Sequence, residues 1–311
     1  MNAPLAYLNG RFMPFTDAAL PLHDAGFVSG ATIVDNARTF RHKLFRWADH
    51  LARFRRDGAA CYVPLHVTDE HITAAAEELV AHNAKRLPPG GELQLVTFAT
   101  PGPLGFYLGE PQNGPPTLGM VTYPLPFARY RRFFTEGVTL GAVANVWSAP
   151  GALVPPTVKH RSRIAWHVAD HRARAETRNP AALALAVDNG RLTETSVANV
   201  LVVLGGDVVI PPPGTVLDGI SLKTTRELCR AGNVRLREAP IAADDVARAS
   251  EMLLVGTGFC IAGVRELVGG RACASRTFDW PGPVLTELRA AWSELVGVDI
   301  AEQFTDPPGG T

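Results

Sequence analysis

"VPPTVKHRSRIAWHVADHRAR", Val154–Arg174, carries the residue on which the reading of the fold turns. Lysine occurs at only four positions, Lys43, Lys85, Lys159 and Lys223, and the other 26 of the 30 basic residues are arginine. A chain that uses arginine almost everywhere keeps a lysine here, after Pro155-Pro156 and at the head of a stretch with helical spacing to about Thr177. A primary amine condenses with an aldehyde, whereas a guanidinium stays protonated and delocalised and does not. Schiff-base chemistry is therefore one reading of Lys159. A solvated lysine at a helix start is the other.

Working outward, the segments around Lys159 follow a recurring order. "YLNG" (Tyr7–Gly10) opens a hairpin at Asn9-Gly10, a dipeptide suited to a type I′ turn. "HDAGFVSGATIVDNARTF" (His23–Phe40) runs from a turn into a strand, and "DHLARF" (Asp49–Phe54) lies on a helix. "TDEHITAAAEELVAHNAKRL" is a helix with Thr68 at its N-cap and acids in its first turn. Beyond Lys159 come "NGRLTETSVANVLVV" (Asn189–Val203), "LDGISLKTTREL" (Leu217–Leu228) and "EMLLVGTGFCIAGV" (Glu251–Val264). The first reads as strand, turn and strand, the second as a helix ended by Gly232, and the third as two strands about Gly256-Thr257.

Taken in order, these motifs resemble those of the class IV, or fold type IV, pyridoxal 5′-phosphate (PLP) enzymes. That family comprises branched-chain and D-amino-acid aminotransferases and aminodeoxychorismate lyase. The resemblance covers nearly the whole chain. It implies an α+β, two-domain fold: a small α/β N-terminal domain over residues 1–122, a linker over 123–132, and a larger, strand-rich pseudo-barrel domain over 133–311 that binds PLP. It also implies a homodimer, with the substrate pocket between the domains and closed by a partner-subunit loop.

PLP offers an aldehyde, a ring nitrogen and a phosphate, and the resemblance assigns residues to each. Lys159 matches the catalytic lysine that holds the aldehyde and moves a proton once substrate displaces it. Glu194 matches the carboxylate paired with the ring nitrogen, with Ser196 and Asn199 beside it. Arg53 matches the phosphate arginine, since a guanidinium makes paired bonds to phosphate oxygens. Ile220 and Ser221 open a helix whose N-terminal amides and dipole suit an anion. Gly256 and Thr257 add an N–H group and a hydroxyl. Lys223 is the rival lysine, placed inside that helix and read as a solvated or phosphate-proximal charge.

The departures from the family concern substrate. Ile164 stands where branched-chain aminotransferases carry a tyrosine, and Ser29 where an aromatic residue is usual. Val34, Asn36 and Arg38 lie on the strand that lines the family's pocket, with Arg38 a candidate for a donor carboxylate. The loop "FATPGPLGFYLG" (Phe98–Gly109) contains no arginine, lysine or histidine, so the arginine trap of the D-amino-acid and lyase branches is missing. Leu104 marks the apolar wall expected in its place. The arginines Arg129, Arg131 and Arg132 fall in the expected linker.

Composition agrees with an enzyme of this kind. The 311 residues are 46% hydrophobic and 19% charged with zero formal net charge, a globular balance without the basic excess that binds nucleic acid. Cys61, Cys229, Cys260 and Cys273 are scattered without a C-x-x-C pair, so neither a metal site nor a redox motif is expected. No apolar run reaches membrane-spanning length and the N-terminus shows no signal-peptide pattern, so the expected location is cytoplasmic. The expected partners are a small-molecule amino donor and a 2-oxo acid acceptor. The expected activity is transamination. A PLP lyase resembling aminodeoxychorismate lyase and a non-catalytic PLP-binding member are the alternatives. Retention of Lys159, Glu194 and Arg53 together argues against the last.

Overall fold

The computed structural model describes residues 3–146, 153–232 and 234–307. By contact the chain divides into two compact units, Met1–Leu125 with Val158–Ser162, and Pro126–Thr157 with Arg163–Thr311.

The first unit carries strands β1 (Leu5–Leu8), β2 (Arg11–Pro14), β3 (Ile33–Phe40), β4 (Lys43–Leu44), β5 (Leu93–Thr100) and β6 (Thr117–Pro124). They form one sheet in the order β2-β1-β6-β5-β3-β4. The β1–β2 turn places Asn9 and Gly10 at φ of 49° and 85°, the two left-handed positions that a type I′ hairpin demands. Helices α1 (Ala25–Val28), α2 (Trp47–Ala60) and α3 (Asp69–Ala84) complete the unit. Thr68 caps α3 by accepting the His71 N–H at 3.3 Å. Leu51 and Phe54 of α2 join Ile72 and Leu79 of α3 against Tyr7, Leu95 and Met120 of the sheet. Beside that apolar stripe, α2 also buries His50, Arg53 and Asp57.

The sequence reading opens a helix at Lys159. The structure instead begins it at Ile164, as α5 (Ile164–Thr177). β4 pairs only with Thr39 and Phe40, so the Thr32–Val34 edge of β3 has open hydrogen-bonding groups. Val158–Ser162 satisfies them. His160 bridges Ile33, the Val34 N–H donates to the Lys159 carbonyl at 3.0 Å, and the Arg161 N–H donates to the Thr32 carbonyl at 2.9 Å. Edge pairing outweighs the helical spacing of these residues.

The expected linker stretch holds regular structure. β6 runs to Pro124 and helix α4 (Phe127–Thr135) follows, with Tyr130, Phe133 and Phe134 buried. The apolar residues recur at helical spacing while Arg129, Arg131 and Arg132 take the exposed face, so an amphipathic helix forms within and beyond the stretch read as a linker.

The rest of the second unit is one sheet of β7 (Val138–Ala144), β8 (Leu183–Asp188), β9 (Arg191–Thr195), β10 (Asn199–Leu204), β11 (Asp207–Ile210), β12 (Leu236–Glu238), β13 (Ile241–Ala242), β14 (Glu251–Gly256), β15 (Cys260–Val268) and β16 (Arg276–Thr277). The path β10-β14-β15-β7-β8-β9 returns to β10 and closes a barrel. Its closing pair is Glu194 opposite Asn199. Helix α5 packs Trp166, Ala169 and Ala173 against Val143, Ala184 and Ala186. Helices α6 (Ile220–Ala231), α7 (Pro283–Val296) and α8 (Glu302–Thr305) follow. No helix is long and apolar enough to cross a membrane, and no cluster of metal-ligating side chains occurs, among the described residues. All four cysteines are free thiols.

Candidate active site

The sequence-selected residues fall into two groups, one in each unit. In the first unit, Arg53 is buried on α2 and gives its guanidinium to Asp35 of β3, Nε to Oδ2 at 2.8 Å and Nη2 to Oδ1 at 3.0 Å. His50, one turn earlier, donates from Nδ1 to Asp35 Oδ1 at 2.6 Å. Burial alone would raise the Asp35 pKa, but the Arg53 charge, His50 and the hydrogen bonds from both outweigh it and hold the carboxyl well below its usual range. Burial also lowers the His50 pKa, with help from the Arg53 and Lys159 charges and against the pull of Asp35, so His50 is neutral at pH 7. An ionised carboxylate only accepts, so the His50 proton sits on Nδ1. The arginine is thereby fixed in place by a carboxylate that the sequence reading passed over.

Lys159 is held by its main chain on both sides. Its N–H donates to Asp57 Oδ2 at 2.8 Å, and its carbonyl accepts from Val34. Val34, Asn36 and Arg38 alternate onto the β3 face opposite Asp35. The Asn36 Oδ1 is buried with no hydrogen-bond partner. Arg38 is buried, with its guanidinium 4.0 Å from the Phe40 ring centroid and its Nε donating to the Thr39 carbonyl at 3.2 Å. Leu104 lies on the loop after β5, its N–H donating to the His23 carbonyl at 2.9 Å.

In the second unit the selected residues converge on the barrel seam. The hairpin between β9 and β10 is tied by the Thr195 hydroxyl, which accepts from the Ala198 N–H at 2.9 Å. Ser196 sits at its tip, buried, with an Oγ that has no partner. Glu194 and Asn199 face each other across the seam, and both hold the peptide of Leu217. The Leu217 N–H donates to Glu194 Oε2 at 3.1 Å, and Asn199 Nδ2 donates to the Leu217 carbonyl at 2.8 Å. Two residues on, Gly219 caps α6 without a side-chain hydrogen bond, and Ile220, Ser221 and Leu222 of the first turn are buried. A helix start leaves its first N–H groups without intrahelical partners. A side chain on Gly219 would place its Cβ 2.1 Å from Asn199 Oδ1, so only glycine fits this close approach. Gly256, at the end of β14, is less tightly packed but still close: a Cβ there would lie 2.8 Å from the Val197 carbonyl oxygen. Thr257 follows, half-buried, in the turn to β15.

These features fit PLP. A fixed carboxylate is tied to a buried helix N-terminus that lacks a side-chain cap, and a buried hydroxyl without a partner lies two residues from that carboxylate. Their chemistry matches a protonated ring nitrogen, a phosphate and a polar ring substituent. The paired arginine and the amine belong to the other group.

Comparison with known proteins gives the following. A family model described as "Amino-transferase class IV" matches residues 32–267. A putative branched-chain-amino-acid aminotransferase of Methanocaldococcus jannaschii is 24% identical over 264 residues, covering 85% of this chain and 88% of that protein. A D-alanine aminotransferase of Bacillus licheniformis is 22% identical over 302 residues, covering 94% and 98%. The crystal structure of the Escherichia coli branched-chain amino acid aminotransferase superposes with a TM-score of 0.81 at 19% identity, over 95% of both chains. A hypothetical aminotransferase from Mycobacterium tuberculosis, in a PLP-bound form, gives 0.79 at 17% identity, covering 94% and 99%. These structural likenesses carry the fold.

Proposed function

The chain belongs to the class IV aminotransferases, and from that premise we propose how its residues move an amino group from an amino acid or amine to a 2-oxo acid. When bound, PLP supplies an aldehyde that condenses with amino groups and a ring that accepts electrons. Lys159 is the amine that holds the aldehyde. With a donor bound, its Nζ would be the base that takes the proton from the donor's α-carbon. Glu194 pairs with the ring nitrogen and keeps it protonated. Arg53, Ser221, Thr257 and the first amides of α6 bind the phosphate, with Ile220 and Gly256 shaping the backbone around it. Ser196 and Asn199 hold the ring side of the site. Val34, Asn36, Arg38 and Leu104 are the proposed donor-binding residues.

The observation that carries this reading is the joint hold of Glu194 and Asn199 on Leu217, which ties the carboxylate to the start of α6. A cofactor with a basic nitrogen at one end and a phosphate at the other needs both features at a fixed spacing. The test is the absorption spectrum of the purified protein against L-amino acids, D-amino acids and simple amines. Conversion of the lysine-bound cofactor band to that of pyridoxamine phosphate supports the reading and identifies the donor class. Release of pyruvate without that conversion would make the protein a lyase instead.

The protein also acts as a homodimer in this reading. The Leu20–Val28 segment and the Pro101–Gly109 loop are joined by Leu104 N–H to His23 and Ala25 N–H to Gly102 bonds. They expose Leu22, Phe27, Val28, Phe106, Tyr107 and Leu108. An apolar patch of this kind marks an interface, and it includes Pro101–Gly109, the loop that in this reading borders the partner's active site.

A further inference from the structure

Asp57 has no part in the family motifs, yet its carboxylate accepts a hydrogen bond from the Lys159 main-chain N–H. It is fully buried on α2, one turn after Arg53 and two after His50. Its Oδ2 accepts from Lys159 at 2.8 Å, and its Oδ1 accepts from the half-exposed Arg56 at 3.0 Å. Burial raises the Asp57 pKa, and the Lys159 N–H and the Arg56 and Arg53 charges oppose that rise. A buried carboxylate is a costly acceptor for a backbone N–H that a neutral group could satisfy.

What the carboxylate adds is a stronger, charge-assisted hold on one point of the chain. Together with Asp35 it closes a circuit. α2 holds Lys159 through Asp57, Lys159 bonds Val34 on β3, the adjacent Asp35 on β3 grips Arg53, and Arg53 returns to α2. We propose that Asp57 is a positioning residue for Lys159: it fixes the lysine's backbone to the helix that carries Arg53, and so sets the amine's place relative to that guanidinium. This rests on the reading of Lys159 as the cofactor lysine and Arg53 as a phosphate ligand.

The consequence is specific to the aldehyde end of the cofactor. Asp57→Ala removes the hold, and Asp57→Asn keeps an acceptor oxygen and the side-chain volume but removes the charge. The test compares the affinity of each cofactor-free variant for PLP and for 4-deoxypyridoxine 5′-phosphate, which has the ring and phosphate but no aldehyde. Loss of a hydrogen bond to a charged group predicts PLP binding weakened by about ten- to a hundredfold in Asp57→Ala, and less in Asp57→Asn. Binding of the deoxy analogue should stay within about twofold, because its contacts do not run through Lys159. Equal weakening for both ligands would show a general structural role and overturn the proposal, as would undiminished PLP binding in both variants. If Asp57→Ala fails to fold, Asp57→Asn decides alone by the same comparison. A Lys159→Ala arm separates the two levels of the argument. If it loses selective PLP binding while the Asp57 variants do not, the positioning role alone falls. If it weakens both ligands equally, or neither, the reading of Lys159 falls, and the positioning role with it.

Discussion

Replacing Asp35 by asparagine tests the electrostatic centre of the first unit. The substitution keeps shape and volume, so no cavity is created. It removes the negative charge that receives His50 at 2.6 Å and Arg53 at 2.8 and 3.0 Å, all of them buried. The carboxamide oxygen can still accept, but its NH2 group turns a donor toward a donor. Stripping one partner from a buried ion pair costs about 3–5 kcal/mol, because the remaining charge is left uncompensated. That is a large share of the roughly 5–15 kcal/mol that holds a domain together. The pH dependence has a definite sign. The Asp35 pKa is depressed on folding, so its contribution is complete above the unfolded carboxyl value of about 3.9 and is lost as pH falls further toward the folded value. Hydrogen exchange at β3 and α2 amides reads the local free energy without assuming that both units unfold together. The expected result is a loss of about 3–5 kcal/mol at pH 7 that shrinks only below about pH 4. A loss under about 1 kcal/mol, or one independent of pH down to the acid limit, would refute the reasoning.

Glu194→Gln should slow proton abstraction from the donor by tens- to hundreds-fold, about 2–4 kcal/mol, measured by loss of an isotope from the α-carbon; an unchanged rate removes its assignment to the ring nitrogen. Arg53→Lys should weaken PLP more than unphosphorylated pyridoxal, because a lysine cannot form paired bonds to phosphate or to Asp35, and equal weakening would count against the phosphate role. Phe304 is fully buried and stacked on Phe134 with ring centroids 4.5 Å apart. Phe304→Ala should therefore destabilise the packing of α8 on α4 by about 3–5 kcal/mol, seen as faster hydrogen exchange there. Phe27→Asp should shift the protein from dimer to monomer in sedimentation equilibrium, and a wild-type monomer would contradict the assigned interface.

Much of the fold was legible because local chemistry and tertiary structure agree. Asn9-Gly10 and Asn189-Gly190 adopt the left-handed turns their identities favour, and Thr68 caps α3 as its position before Asp69 and Glu70 implies. The second-unit motifs converge for a reason visible only in three dimensions: the barrel closes at Glu194 and Asn199. The Lys159 segment misled because its helical spacing continues upstream of Ile164, while the open edge of β3, a long-range partner, claims those residues. Phe127–Thr135 misled in the opposite sense, since Pro124 and Pro126 before it and its arginines drew attention from the buried Tyr130, Phe133 and Phe134. Asp35 and Asp57 drew no notice in the sequence because a carboxylate's role depends on what it meets. The available signal was the spacing of His50, Arg53 and Asp57, which puts three polar side chains along the buried side of α2 beside Leu51 and Phe54.

The most direct test of the account is to reduce the PLP-loaded protein with borohydride, digest it and locate the pyridoxyl group by mass spectrometry. The account predicts one modified residue, Lys159, and no label in a Lys159→Arg variant of unchanged fold. Recovery of the label at Lys223, or retention of it when Lys159 is replaced, would contradict the assignment on which the rest depends.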